Sequence, residues 1–307
     1  IFNKNYFTDL SGYDIRWSLY ADGLPVEELT NQPLSSTRLT LGARERKNYQ
    51  LNFKGYQFDP SKEYFLKVQF LQAEKKPWAE KGYVQMEEQI AVKPAAEQPA
   101  MASVAKGRVV TLVTEGNLLR VKGEGYDLTF DKNTGGLYSA AYNGATVIQP
   151  GHGPRLDAFR ARTDNDNWMD AKWPKLGLHN LQHKALSFAQ NVTKEGNLQL
   201  IFTVESQAPY GGVDHYSNRD REKDEVYKIV DDKSKPFGPN DFKFTTHQIY
   251  TIYADGSVEL QSAISSNMPK VKLPRLGYAF EMPKDYRHFT YYGRGPVNNY
   301  ADRKTGQ

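Results

Sequence analysis

The chain contains no cysteine. Disulfides, thiolate metal sites and cysteine nucleophiles are therefore excluded, while the compartment stays open. No apolar run approaches the roughly 18–20 residues a membrane-spanning helix needs, so no membrane partner is expected. Neither sign of charge dominates: 40 Lys and Arg against 36 Asp and Glu leave +4 over 307 residues. The basic residues are interleaved with acids, as in "NRDREKDE", and nucleic-acid binding is not expected. No G-x-S-x-G occurs, so a nucleophile elbow is unsupported. The opening "IFNKNYF" has no initiator Met, basic segment or apolar segment of a signal peptide, and it reads as the start of a fragment or a processed chain. "NVT" at Asn191 is a glycosylation acceptor only in a eukaryotic secreted protein.

Aromatic residues are plentiful, at 13%, which favours strands. Alternation with period two dominates, and long 3.6-residue periodicity is absent. Ile15, Trp17 and Leu19 share one face of "DIRWSLYADG", which ends in an Asp-Gly turn. Tyr49, Leu51 and Phe53 alternate in "NYQLNF"; Tyr64, Leu66, Val68 and Phe70 alternate in "EYFLKVQFLQ". "GYVQMEEQIAV" closes the region. Residues 1–93 therefore read as a small immunoglobulin-like β-sandwich. Residues 94–106, rich in Ala and Pro, read as a linker. From residue 107 to 307 strands resume with hairpin signals at Asn143-Gly144 and Asp255-Gly256. "DAKWPKLGLHNLQHKALSF" is expected to hold one short helix before a strand. Residues 210–241, charged and rich in turn formers, read as a long insertion loop. The expected fold class is all-β: a small sandwich, then a larger antiparallel sandwich that ends abruptly at "DRKTGQ", as if truncated.

The stretch "RARTDNDNW" places Asp164, Asn165 and Asp166 beside Trp168. An EF-hand loop beginning at Asp164 would need oxygen at its fifth position, Gly at the sixth and Glu at the twelfth. Trp168, Met169 and Lys175 stand there instead. As an extended pair, Asp164 and Asp166 project about 6.5–7 Å apart, within the span of glycosidase carboxylates. Side chains at i and i+2 run parallel, however, and do not converge on a bond from both sides. Two readings remain: a polar turn bonding its own backbone, or a loop presented to a ligand or another domain. His179 and His183 have the i, i+4 spacing of a helical zinc pair, but "HNLQH" lacks the Glu of H-E-x-x-H and a third ligand; a solvated or capping role is the simpler reading. "GRGPVNNYADR" follows the expected strand "HFTYY". It reads as a tight turn (Gly293, Gly295, Pro296) that positions Arg294, Tyr300, Asp302 and Arg303.

Together these motifs resemble the C-terminal region of glycoside hydrolase family 2 β-galactosidases. "GRGPVNNYADRKTG" is similar to that family's G-x-G-P-x-E-x-Y-x-D-R signature, with Asn298 where the pattern has Glu. "FRARTDNDNW" resembles R-A-x-x-D-N-D, and "FDKNTGGLYSAAYNG" an F-x-x-x-x-G-x-L region. "WSLYADG" and "PWAEKGYVQMEEQIAV" resemble the preceding immunoglobulin-like domain. The resemblance implies that residues 107–307 form a galactose-mutarotase-like sandwich of the small-chain type. It implies a parent that is a retaining hydrolase of terminal β-galactosides, a homo-oligomer whose glutamates sit in a separate (β/α)8 barrel. This chain would then be a non-catalytic accessory fragment that contacts the barrel and the galactoside at the domain boundary. It would hold no catalytic residue and no metal of its own, with any Mg and Na sites in the catalytic part. Arg160, Asp164, Asn165, Asp166, Trp168 and Trp173 would line or support the loop facing the active site. A stand-alone carbohydrate-binding module using Trp168 and Trp173 is the alternative. An aldose-epimerase-like enzyme needs a His and Glu converging on one face, and His247 has no pattern-supported Glu.

Overall fold

The structure is a computed structural model and describes residues 1–34, 39–53, 55–93, 111–161, 163, 166, 172–215, 228–291 and 293. The fold is all-β, built from antiparallel sheets. Described residues 1–93 fall in one compact unit and residues 111–289 in another.

In the first unit the strands are β1 (Tyr13–Ala21), β2 (Leu24–Pro25), β3 (Gln32–Pro33), β4 (Tyr64–Gln72) and β5 (Val84–Lys93). They form one sheet in the order β2-β1-β4-β5, with β3 also on β1. Ile15 pairs with Phe70, Trp17 with Val68 and Leu19 with Leu66, so the alternation in both segments delivers its apolar residues to one face. Asp22 and Gly23 both take positive φ, 47° and 80°, the two-residue turn whose twist matches paired strands. The covering layer differs from expectation. Leu51 and Phe53 pack on the Trp17–Leu19–Tyr64 cluster and Tyr49 on the Ile15–Phe70 cluster, yet residues 47–53 form no strand. Alternation reports which side chains are buried; a ladder also needs a neighbouring backbone in register.

The second unit holds two larger sheets. A meander runs through β6 (Thr111–Glu115), β7 (Leu118–Gly123), β8 (Tyr126–Asp131), β9 (Gly136–Tyr142) and β10 (Ala145–Ile148). The second sheet contains β12 (Gln182–Val192), β13 (Leu198–Gln207), β16 (Lys243–Ile252) and β17 (Val258–Ser266), paired in that order. Leu119, Val121, Leu128 and Phe130 of the meander meet Leu200, Phe202, Tyr250 and Ile252 of the other sheet in one buried cluster. The rings of Phe130 and Tyr250 pack edge to face at 5.2 Å. Asn143 and Gly144 take φ of 50° and 81°, as the hairpin signal predicts. The short helix is present as α1 (Lys172–Lys175), followed by a 3-10 turn at Leu178–Asn180.

A small ribbon joins β11 (Arg155–Asp157) to β18 (Gly277–Ala279). A second ribbon, β14 (Tyr210–His215) with β15 (Lys228–Pro236), stands where the sequence predicts a loop. Val213 and Val230 pair there, both more than 40% exposed. The ribbon's buried positions include Gly211 and Gly212, close against Lys175, Phe237 and His179, and glycine leaves no apolar period to read. The expected strand at "HFTYY" is likewise not formed at its described residues, and Phe289 and Tyr291 are largely exposed there. Aromatic β-propensity alone does not make a strand.

Candidate functional site

The chain leaving β11 passes through buried Ala158 to Arg160. Leu156, Ala158, Trp173, Leu178, Phe242 and Phe244 form a local apolar cluster, which gives this segment a rigid base. The Arg160 guanidinium grips Asp166 with both ends: Nη1 donates to Oδ2 at 2.6 Å and Nη2 to Oδ1 at 3.0 Å. The Thr163 backbone N–H and hydroxyl also donate to Oδ2, at 2.7 and 2.9 Å. In return the Asp166 N–H donates to the Thr163 carbonyl at 2.9 Å. The sequence Arg-x-x-Thr-x-x-Asp thus closes on itself as a loop tied across its neck. The Arg160 hydrogen bonds, reinforced by Thr163, hold the Asp166 carboxyl at about 2 against the opposing effect of burial.

Trp173, on α1, lies beside this tie. Its ring centre is 5.5 Å from the Arg160 guanidinium carbon, close enough for a cation–π contact. Its indole N–H donates to the Lys272 carbonyl at 2.9 Å, and the residue is 4% exposed. Arg160 Nε reaches the Pro274 carbonyl at 3.3 Å. Sequence reasoning missed these anchors at 272–274, because a backbone carbonyl carries no residue signature.

Of the six residues predicted for this loop, Arg160, Asp166 and Trp173 are brought together. Asp164, Asn165 and Trp168 lie outside the described residues. Gly293 of the downstream turn is described without a positive φ. Arg294, Gly295, Pro296, Tyr300, Asp302 and Arg303 lie outside, as does Asn298. Chemically, Asp166 is unsuited to acid–base work: it is ionised far below neutrality and its Oδ2 already accepts three hydrogen bonds. Among the described residues no group of three or more acidic or histidine side chains is placed to hold a metal ion.

The two histidines do not share a helix. His179 sits in the 3-10 turn, with Nε2 2.9 Å from Asp231 Oδ1. His183 is on β12, with Nδ1 2.9 Å from Ser206 Oγ. Burial, assisted by the charge of Arg155, pushes the His183 imidazole down to about 4. The folded protein keeps this ring neutral where the unfolded chain, titrating near 6.5, already binds a proton. Stability should therefore fall as pH drops from about 6.5 towards 4, by an amount on the order of 2 kcal/mol after allowance for solvent screening. Urea midpoints compared between wild type and His183→Gln across that window check this. Parallel profiles would refute it.

The structure defines an all-β chain of two units in which the conspicuous carboxylate, Asp166, ties its own loop. Residues 122–307 match the β-galactosidase small chain family, and residues 1–93 match β-galactosidase domain 4. The chain belongs to the β-galactosidase small chain family. It is 26% identical to the β-galactosidase of Priestia megaterium over 308 residues, covering 99% of this chain and 25% of that protein. The β-galactosidase of Halalkalibacterium halodurans is 25% identical over 99% of this chain and 26% of its own length. For that of Clostridium acetobutylicum the figures are 24%, 99% and 29%. The chain thus spans about a quarter of the length of the curated relatives it matches.

Proposed function

We propose that this chain serves as a non-catalytic, accessory part of a β-galactosidase, shaping the carbohydrate cleft next to a separate catalytic barrel. In this reading the barrel supplies the two glutamates for retaining hydrolysis of terminal β-galactosides and any Mg and Na sites, and the parent enzyme is a homo-oligomer. The immunoglobulin-like region, residues 1–93, links to the sandwich of residues 107–307 through residues 94–106. The sandwich carries the loop from Asn167 to Trp173 to the cleft edge. The observation that supports the reading best is the state of Asp166: four hydrogen bonds from Arg160 and Thr163 commit it to closing the turn of residues 160–166, from which that loop departs. On this reading Asp164, Asn165 and Trp168, which lie outside the described residues, would face the cleft. Stand-alone sugar binding gains less support, because Trp173 is buried and its N–H is taken.

The test is direct. The 307-residue chain, assayed alone on a chromogenic β-galactoside, is expected to give no turnover above buffer. Sustained turnover that scales with protein concentration would end the accessory reading.

A further inference from the structure

The interior of the second unit contains a polar spot remote in sequence from the Arg160–Asp166 tie. Along β16, Thr246, Gln248 and Tyr250 occupy successive inward positions. Gln248 is 3% exposed and Tyr250 1%. Gln248 Nε2 donates to the Tyr278 hydroxyl of β18 at 3.3 Å, and Ser262 Oγ lies 2.8 Å from the same hydroxyl. The other end of the amide, Oε1, has no partner among the described residues, and neither has the Tyr250 hydroxyl. Burial drives the Tyr250 phenol well above its ordinary range, opposed by the nearby Leu137 N–H, which does not close a hydrogen bond of ordinary geometry. Leaving a buried polar atom unmet is costly, so two such atoms around one point call for a shared partner.

Both atoms face the same point, and that point is kept open by a glycine. A methyl group built on Gly136, at the start of β9, would stand 2.9 Å from Tyr250 Oη and 3.7 Å from Gln248 Oε1. Gly136 has φ of 147°, a conformation that itself favours glycine. Beside it lies a cavity of about 30 Å³, lined among others by Gly135, Gly136, Leu156, His183 and Gln248. Those residues come from the meander, the β11–β18 ribbon and the β12–β17 sheet, so the cavity lies where three sheets meet. Its volume fits one water molecule and is too small for a hexose.

We propose that a single structural water binds between Tyr250 Oη and Gln248 Oε1, in the space that Gly136 leaves free at the edge of this cavity, which Gly136 and Gln248 line and Tyr250 does not. The water donates one proton to Gln248 Oε1 and accepts the Tyr250 hydroxyl proton. A reversed Gln248 amide would present an N–H to the same point and still be satisfied, with the water accepting from it. The water thereby continues the Tyr278–Gln248 link to Tyr250 and fills the space beside Gly136 of β9.

A high-resolution crystal structure of the full chain tests this without a mutation. The expected result is an ordered peak within about 2.7–3.2 Å of both atoms. In Tyr250→Phe, which keeps the ring packing, that peak is expected to disappear. Three results would overturn the proposal. One is no peak in wild type, with Tyr250 and Gln248 bonded directly to each other. Another is a peak with contacts near 2.4 Å, the short distances of a bound cation. The last is a peak undiminished in Tyr250→Phe.

Discussion

Alanine in place of Gly153 is expected to unfold the second unit or to destabilise it by more than about 4 kcal/mol. A Cβ at this position would fall 1.7 Å from the Leu137 carbonyl oxygen and 2.6 Å from its carbon. Those are backbone atoms of β9, which is paired with β8 through Phe130 and Leu137. No rotamer relieves such a clash; the strand itself must move, and with it the seam between the two large sheets. Gly277→Ala is the control, because a Cβ there meets nothing within 4 Å and φ is not positive. Thermal melts followed by circular dichroism should show a large loss for Gly153→Ala and a change within about 0.5 kcal/mol for Gly277→Ala. Two variants melting together would mean that the close approach of residue 153 to β9 does not govern stability.

Removing either end of the Arg160–Asp166 tie should cost about 3 kcal/mol, since each change breaks a two-pronged, mostly buried ion pair. The side chains are 26% and 12% exposed, so water compensates little. Arg160→Met combined with Asp166→Leu should cost less than the sum of the two single changes, the mark of a coupled pair. The tie also has its own pH window. The folded carboxyl titrates at about 2, against about 3.9 in an unfolded chain. The unfolded state therefore takes up the proton first as acid is added. The stabilisation, about 2 kcal/mol, is fully present above pH ~4 and is lost as pH falls through about 2. Asp166→Asn should remove that dependence while leaving the separate His183 window intact. Unfolding midpoints of wild type and variant that stay a constant distance apart from pH 5 to pH 2 would count against the tie. On the accessory reading proposed above, the same substitution within a parent β-galactosidase should lower kcat/KM for a galactoside.

Much of the architecture was legible in advance because it follows local rules. Ile15, Trp17 and Leu19 alternate and are buried; Asp22-Gly23 and Asn143-Gly144 turn where their left-handed conformations allow it. The short helix before β12 was legible for the same reason. The failures also have physical causes. Residues 47–53 alternate without joining a ladder. The β14–β15 ribbon packs through Gly211 and Gly212, which carry no apolar period. His179 and His183 keep helical spacing across a break between a 3-10 turn and a strand.

For the candidate site the division is sharper. Residue types and spacing alone removed the calcium loop and the aspartate pair, since the ligand pattern fails and parallel side chains do not converge. The sequence by itself therefore determined an all-β chain without thiol chemistry, punctuated by glycine turns, with one acidic loop of no recognisable catalytic pattern. Tertiary structure decided what that loop's carboxylate does, through the return of Arg160 and Thr163 onto Asp166. It also decided that Gly153 lies against β9 and that Gly136 lies opposite Tyr250 and Gln248. The reason is geometric: hydrophobic period and turn chemistry act between residues close in the chain, whereas these contacts depend on which distant strands the packed core brings face to face.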